Sequence, residues 1–131
     1  FERQIVKIAQ RRSRGYASFT AYKDECESHA VIYTKVKNKD YECGSRYVAL
    51  NLCNEKTIEF RVFKGTLNIN TIVAYISFCH TFVAWAKEQS ITKLIKSNVN
   101  VLWKSYLDSI RKESNMGDLR AYLVHKSLWI D

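Results

Sequence analysis

The sequence predicts an α+β fold, a small antiparallel sheet with a central hairpin followed by a long buried helix and two further helices. Three observations predict it. Residues 46–52 (RYVALNL) and 57–63 (TIEFRVF) alternate apolar and polar side chains, as half-buried strands do. Residues 71–86 form an apolar run of helical length, and two later segments, about 99–112 and 119–126, repeat apolar residues at helical spacing. Strands first and helices afterwards make an α+β chain.

Taken in order, residues 3–12 set Ile5, Val6, Ile8 and Ala9 against Arg3, Lys7, Arg11 and Arg12, a short basic amphipathic helix that Gly15 ends. Residues 16–45 carry mixed signals: HAVIYTKV reads as a strand by its β-branched content and NKDYECG as a turn. The hairpin comes next. Its apolar sets share a face only if Leu50 opposes Phe60 and Leu52 opposes Ile58, which leaves Asn54, Glu55 and Lys56 as a three-residue loop. The same register sets Asn51 opposite Glu59 and Ala49 opposite Arg61. After KGTLN, Asn68 or Asn70 caps a helix that runs to about Glu88 and, being apolar nearly all round, is the central packing element. Leu102, Trp103, Tyr106, Leu107, Ile110, Leu119, Tyr122 and Leu123 on the last two helices are expected to supply satellite core contacts.

With 131 residues the chain fits one domain, which buries roughly two thirds of its unfolded surface. Hydrophobic residues make up 47% and aromatics 13%, which excludes a disordered chain. With no proline and four glycines there is no linker, repeat or low-complexity stretch. The balance of 21 basic to 13 acidic residues, net +8, favours nucleic acid, nucleotides or an acidic protein surface as partner. The basic residues cluster at Arg3, Lys7, Arg11, Arg12 and Arg14, and at Lys35, Lys37 and Lys39; a solvated face is the ordinary reading of each. The four cysteines include no C-x-x-C pair, so reduced thiols in a cytoplasmic setting are expected. Cys26 and His29 have a loosely ligand-like spacing, short of the four ligands zinc requires. The apolar run 71–86 is expected to be too short for a membrane span, and no membrane partner is expected. The opening lacks the character of a signal sequence, and a start at Phe1 suggests a trimmed or processed piece.

The hairpin carries the candidate chemistry. Glu59 and Arg61, two apart on a strand, point the same way with Cα atoms about 6–7 Å apart. A carboxylate there suits Mg²⁺, which takes oxygen ligands from one or two carboxylates and substrate phosphates, and a guanidinium grips carboxylate or phosphate oxygens in bidentate fashion. Asn51 adds a neutral donor and acceptor, and the small Ala49 leaves a ligand room. The ordinary alternative is the wet face of an antiparallel sheet.

The stretch SRYVALNLCNEKTIEFRVFKGTLNINTIVAYISFCHTFVAW resembles the amidoligase family of bacteriophages and mobile elements, whose members carry R-Y-x-x-x-N-L, then T-[IV]-E-[FL]-R-x-F-[KR]-G-T-L and an apolar helix. KIAQRRSRGYASF is a weaker match to the same family. The resemblance implies a glutamine synthetase-like fold that joins a carboxylate to an amine with ATP and Mg²⁺. It implies Glu59 as metal ligand, Arg61 facing the substrate carboxylate or the transferring phosphoryl group, Arg46 on nucleotide phosphates, and Asn51 supporting the acyl phosphate or the amine. It covers the C-terminal part of that family; the part before it supplies other metal carboxylates, for which Glu25 and Glu27 are candidate stand-ins.

Two functions from different classes follow. One is an ATP-dependent carboxylate–amine ligase, or half of one, in the cytoplasm of a bacterial host. The other is a non-catalytic basic protein on a truncated amidoligase fold, holding nucleic acid or a nucleic-acid-handling protein, for instance as inhibitor of a host defence nuclease. His29, His80 and His125 show no nucleophile–base spacing, and His80 is expected to be a core histidine.

Overall fold

The computed structural model describes residues 2–11, 49–51 and 56–130, with Glu2 described by its backbone alone. The chain divides into two compact units, one made of Phe1–Gln10 with Phe63–Asp131 and the other of Arg11–Val62. The expected α+β fold is present: among the described residues a two-stranded antiparallel sheet is accompanied by a long helix and four other helices.

The hairpin lies within the second unit. Strands β1 (Leu50–Asn51) and β2 (Glu59–Phe60) pair Leu50 with Phe60 and Asn51 with Glu59, the register that the two alternating segments require. The Arg61 amide continues the ladder by donating to the Ala49 carbonyl at 3.0 Å. Residues 46–48 and 52–55, including most of the expected loop, lie outside the described residues.

In the other unit, α1 (Glu2–Ala9) ends earlier than the sequence pattern suggests. Its last carbonyls are claimed by other parts of the chain. Ile8 accepts from the Tyr122 hydroxyl at 2.7 Å, and Ala9 from the Lys64 amide at 2.9 Å. Gln10, at φ 55, turns the backbone left-handed, and its side-chain amide donates to the Tyr122 oxygen at 2.9 Å. Ile8 and Ala9 are fully buried as a result.

The long helix α2 (Ile69–Lys87) is capped by Asn68, whose side chain accepts from the Thr71 amide at 3.0 Å, and it closes at Glu88. Its buried side chains, Ala74, Tyr75, Phe78, Thr81 and Trp85, occupy one side and pack against α4 (Val99–Arg111) and α5 (Gly117–His125). Phe78 stacks on Phe82 at 5.2 Å and meets Tyr106 edge-on at 6.0 Å, while Phe63 stacks on Tyr75 at 4.4 Å. Such pairs each add about 0.5–1.5 kcal/mol beyond the area they bury. Trp103 fastens the tail by donating to the Leu128 carbonyl at 3.0 Å.

Two expectations about α2 need correction. The helix is buried along one side only, with Ile69 and Ile76 66% and 65% exposed. At 19 residues it is also long and apolar enough, by length and composition alone, to cross a membrane, whereas the shorter apolar run counted from the sequence was expected to fall short. A core helix satisfies the same measure, and its aromatic side is packed into a core.

The helix α3 (Ile91–Lys96) is not visible in the sequence pattern. Six residues are too few to establish a period, and the segment is set by Ser90, whose hydroxyl accepts from the Lys93 amide at 3.2 Å.

Candidate functional site

Three residues singled out on the hairpin converge. Glu59 accepts through one carboxylate oxygen from the Asn51 amide at 2.8 Å and through the other from the Arg61 guanidinium at 3.0 Å. The register produces this: Asn51 sits directly across from Glu59, and Arg61 lies two residues along the same face. The group is graded from inside to outside. Asn51 is 3% exposed, the Arg61 side chain 25% and the Glu59 side chain 43%. A plain wet face does not fit this pattern, because a polar residue of that face is buried while Ile58, from the apolar set, is 46% exposed. Val62, also from the apolar set, is buried as expected.

Arg11 joins the same unit. The sequence groups it with the basic residues of the first helix, yet its guanidinium donates to the Arg61 carbonyl at 3.1 Å. Two guanidiniums are therefore tied to this strand segment, against one described carboxylate. Sequence reasoning missed it because the contact spans fifty positions of chain, and no local pattern encodes such a distance.

Arg3 and Lys7 are exposed on α1, as the amphipathic pattern requires. Arg46, Arg12, Arg14, Lys35, Lys37, Lys39, Glu25, Glu27, Cys26 and His29 lie outside the described residues. Among the described residues no group of three or more His, Cys, Asp or Glu side chains is gathered as a metal-ligand set.

The segment after β2 contributes to a different place. Thr66, Asn68, Thr71, Tyr122, His125 and Lys126 line a polar cleft of about 530 Å³ in the helical unit. Gly65, just before it, has no left-handed φ, and a Cβ there would meet nothing within 4 Å. The fold thus places no demand for glycine at this point.

His80 is not a core histidine. It is exposed on α2 and lines a cleft of about 280 Å³ with Trp85, Glu88, Lys112 and Glu113. Cys79 is half-buried, and loss of water around it pushes its thiol from an ordinary 9.0 up to about 11, so it is a protonated packing residue at neutral pH. Burial likewise raises the Tyr106 and Tyr122 hydroxyls well above 10.0.

Fold and geometry together define a helix-rich α+β protein with an amide–carboxylate–guanidinium cluster on its hairpin. No protein-family model matches the chain, and neither the curated proteins nor the solved structures give a match.

Proposed function

We propose that the chain is an amidoligase-like domain of phage or mobile-element origin, similar in type to glutamine synthetase, whose hairpin cluster handles the anions of an ATP-dependent carboxylate–amine ligation. One observation carries the reading: Glu59 bridges Asn51 and Arg61 while remaining 43% exposed. A carboxylate held this way fixes the guanidinium in orientation and leaves the group open to solvent on one side. Activating a carboxylate with ATP brings two anions together, and a preorganised guanidinium offsets their repulsion at no reorganisation cost. Arg61 faces the substrate carboxylate or phosphoryl group, Arg46 the nucleotide phosphates, and Asn51 the acyl phosphate or the amine.

Magnesium fits this arrangement as a guest of the nucleotide. It is commonly held by one or two carboxylates plus phosphates, and Glu59 is the described residue suited to that part. Bound there, it would neutralise phosphate charge. A thermal-shift titration with Mg-ATP tests the proposal. The melting midpoint rises with ligand, since saturation at a hundred times Kd stabilises a fold by about 2.7 kcal/mol, and Glu59→Gln abolishes the rise. No shift in the unaltered protein refutes the reading.

A second reading has its own observation: Arg3 and Lys7 are exposed on α1, opposite buried Ile8 and Ala9. On this reading the chain is a non-catalytic protein that holds nucleic acid or an acidic, nucleic-acid-handling protein such as a host defence nuclease. Its nucleic-acid affinity then falls linearly in a log–log plot against salt, with a slope set by the phosphates neutralised. Reversing Arg3 and Lys7 flattens that slope, and salt-independent binding or none rejects the reading.

A further inference from the structure

The short helix α3 is the most exposed element of the helical unit. None of its six side chains is buried, and its apolar residues fall on one side, with Ile91 49%, Leu94 37% and Ile95 55% exposed. Helical spacing places Lys93 and Lys96 on the other side. Val99, at the start of α4, is a further exposed aliphatic residue, 44% exposed. Between residues 87 and 104 there are four lysines, at 87, 93, 96 and 104, and one acid, Glu88.

We propose that α3 docks the protein onto an anionic lipid surface, with Ile91, Leu94 and Ile95 entering the interface and Lys93 and Lys96 meeting the headgroups. Two features of the patch select this occupant. All six of its residues are exposed to solvent, so a fluid bilayer can close around the helix from its open side. Its composition also points to lipid. Protein interfaces are anchored by aromatic residues and arginine and are depleted in lysine, whereas this helix holds three aliphatic residues, two lysines and a threonine. Long lysine stems lie along an apolar surface while their ammonium groups stay in water, and a basic polar face beside an aliphatic one is the pattern of a helix lying in the membrane plane. The expectation that no membrane is involved came from the length of an apolar run, which bears on spanning and not on lying at the surface. The inference does not depend on the ligase proposal, because no residue of the hairpin takes part.

Co-sedimentation of the full chain with vesicles tests it, using phosphatidylcholine alone and phosphatidylcholine with a quarter phosphatidylglycerol. The protein sediments with the anionic vesicles at 0.1 M salt, not with the neutral ones, and is released at 0.5 M salt. Each lysine near an anionic surface strengthens partitioning about fivefold, so Lys93→Glu with Lys96→Glu lowers it at least about 25-fold. Ile91→Ser with Ile95→Ser lowers it at fixed charge. Both pairs are expected to fold with unchanged melting midpoints, because neither removes a buried side chain. The proposal is overturned by an absence of vesicle binding, by binding that both double variants retain, or by binding that resists high salt and alkaline carbonate, which would indicate insertion of α2. It is overturned equally by a concentration-dependent dimer that Ile91→Ser with Ile95→Ser dissolves, since a second copy would then be the occupant.

Discussion

Replacing Glu59 by glutamine separates the two roles the hairpin cluster can play. The substitution keeps volume and one acceptor oxygen and removes the charge. Its cost in stability can be worked from the contacts. The Glu59–Arg61 pair has side chains 43% and 25% exposed, so it belongs with surface ion pairs, which contribute about 0.2–1 kcal/mol. The bond from buried Asn51 is stronger, because hydrogen bonds to charged groups contribute about 1.5–3 kcal/mol, and glutamine retains it in part through its remaining oxygen. The amide NH₂ of glutamine would face the Arg61 donor, so that second contact is lost. Together these give a loss of about 1–2 kcal/mol. Urea unfolding followed by far-UV circular dichroism reads this as a midpoint lowered by roughly 0.5–1 M at an ordinary slope. The difference narrows between 0.1 M and 1 M salt, as the screening length falls from about 10 Å to about 3 Å. A loss above about 4 kcal/mol would refute the reasoning, since the cluster would then be a staple of the hairpin with no spare capacity for a ligand. A loss near zero with an undiminished response to Mg-ATP would refute it from the other side, making the contact incidental.

The remaining predictions concern the helical unit. Asn68→Ala removes the cap of α2 and costs about 1 kcal/mol, read as a lower melting midpoint, whereas Asn68→Ser restores most of it. Tyr106→Phe removes a buried hydroxyl that lies 2.8 Å from Thr81 Oγ1, and costs about 1–2 kcal/mol in urea unfolding; Thr81 keeps its contact with the Ser77 carbonyl at 2.8 Å, which limits the damage. The thiol of Cys79, raised from 9.0 to about 11 in the folded chain by burial, keeps its proton there while the unfolded chain loses it, so stability falls as pH rises from 9 through 11. Tyr106 and Tyr122 add the same sign of change from about pH 10 upward, so Cys79→Ala delays the onset of alkaline loss by about one pH unit in a titration of the melting midpoint.

The parts of this protein that were legible in the sequence are those whose determinants are local and periodic. The hairpin register follows from parity: a slip by one residue would carry Leu50 and Phe60 to the face of Asn51 and Glu59, so two alternating segments admit few pairings, and the side-chain cluster comes with the register. The start of α2 is equally local, because an asparagine whose side chain reaches an amide three residues on needs nothing from elsewhere in the chain. The exposure of His80 has a local signal too. The residue lies two positions after the fully buried Phe78, about 200° around the helix, and that angle predicts exposure however apolar the neighbouring sequence.

The end of α1 and the position of Arg11 had no such signal, and the reason is the same for both. The carbonyls of Ile8 and Ala9 have their fourth-residue partners replaced by Tyr122 and Lys64, and Arg11 is directed to the Arg61 carbonyl, all across dozens of positions. A helix whose terminal carbonyls are satisfied by tertiary donors gains nothing from a further turn, so its basic pattern can continue past the point where its backbone turns away. That break has a functional consequence. A continuous helix through residue 12 would present Arg3, Lys7 and Arg11 along one flank; the backbone instead turns left-handed at Gln10, and Arg11 donates to the Arg61 carbonyl of the hairpin. Charge reversal at Arg11 is therefore expected to act with Glu59→Gln in the Mg-ATP titration, and charge reversal at Arg3 and Lys7 to leave that titration unchanged. If instead Arg11 behaves like Arg3 and Lys7 in both the nucleotide and the nucleic-acid measurements, the turn is a packing feature with no functional sorting behind it.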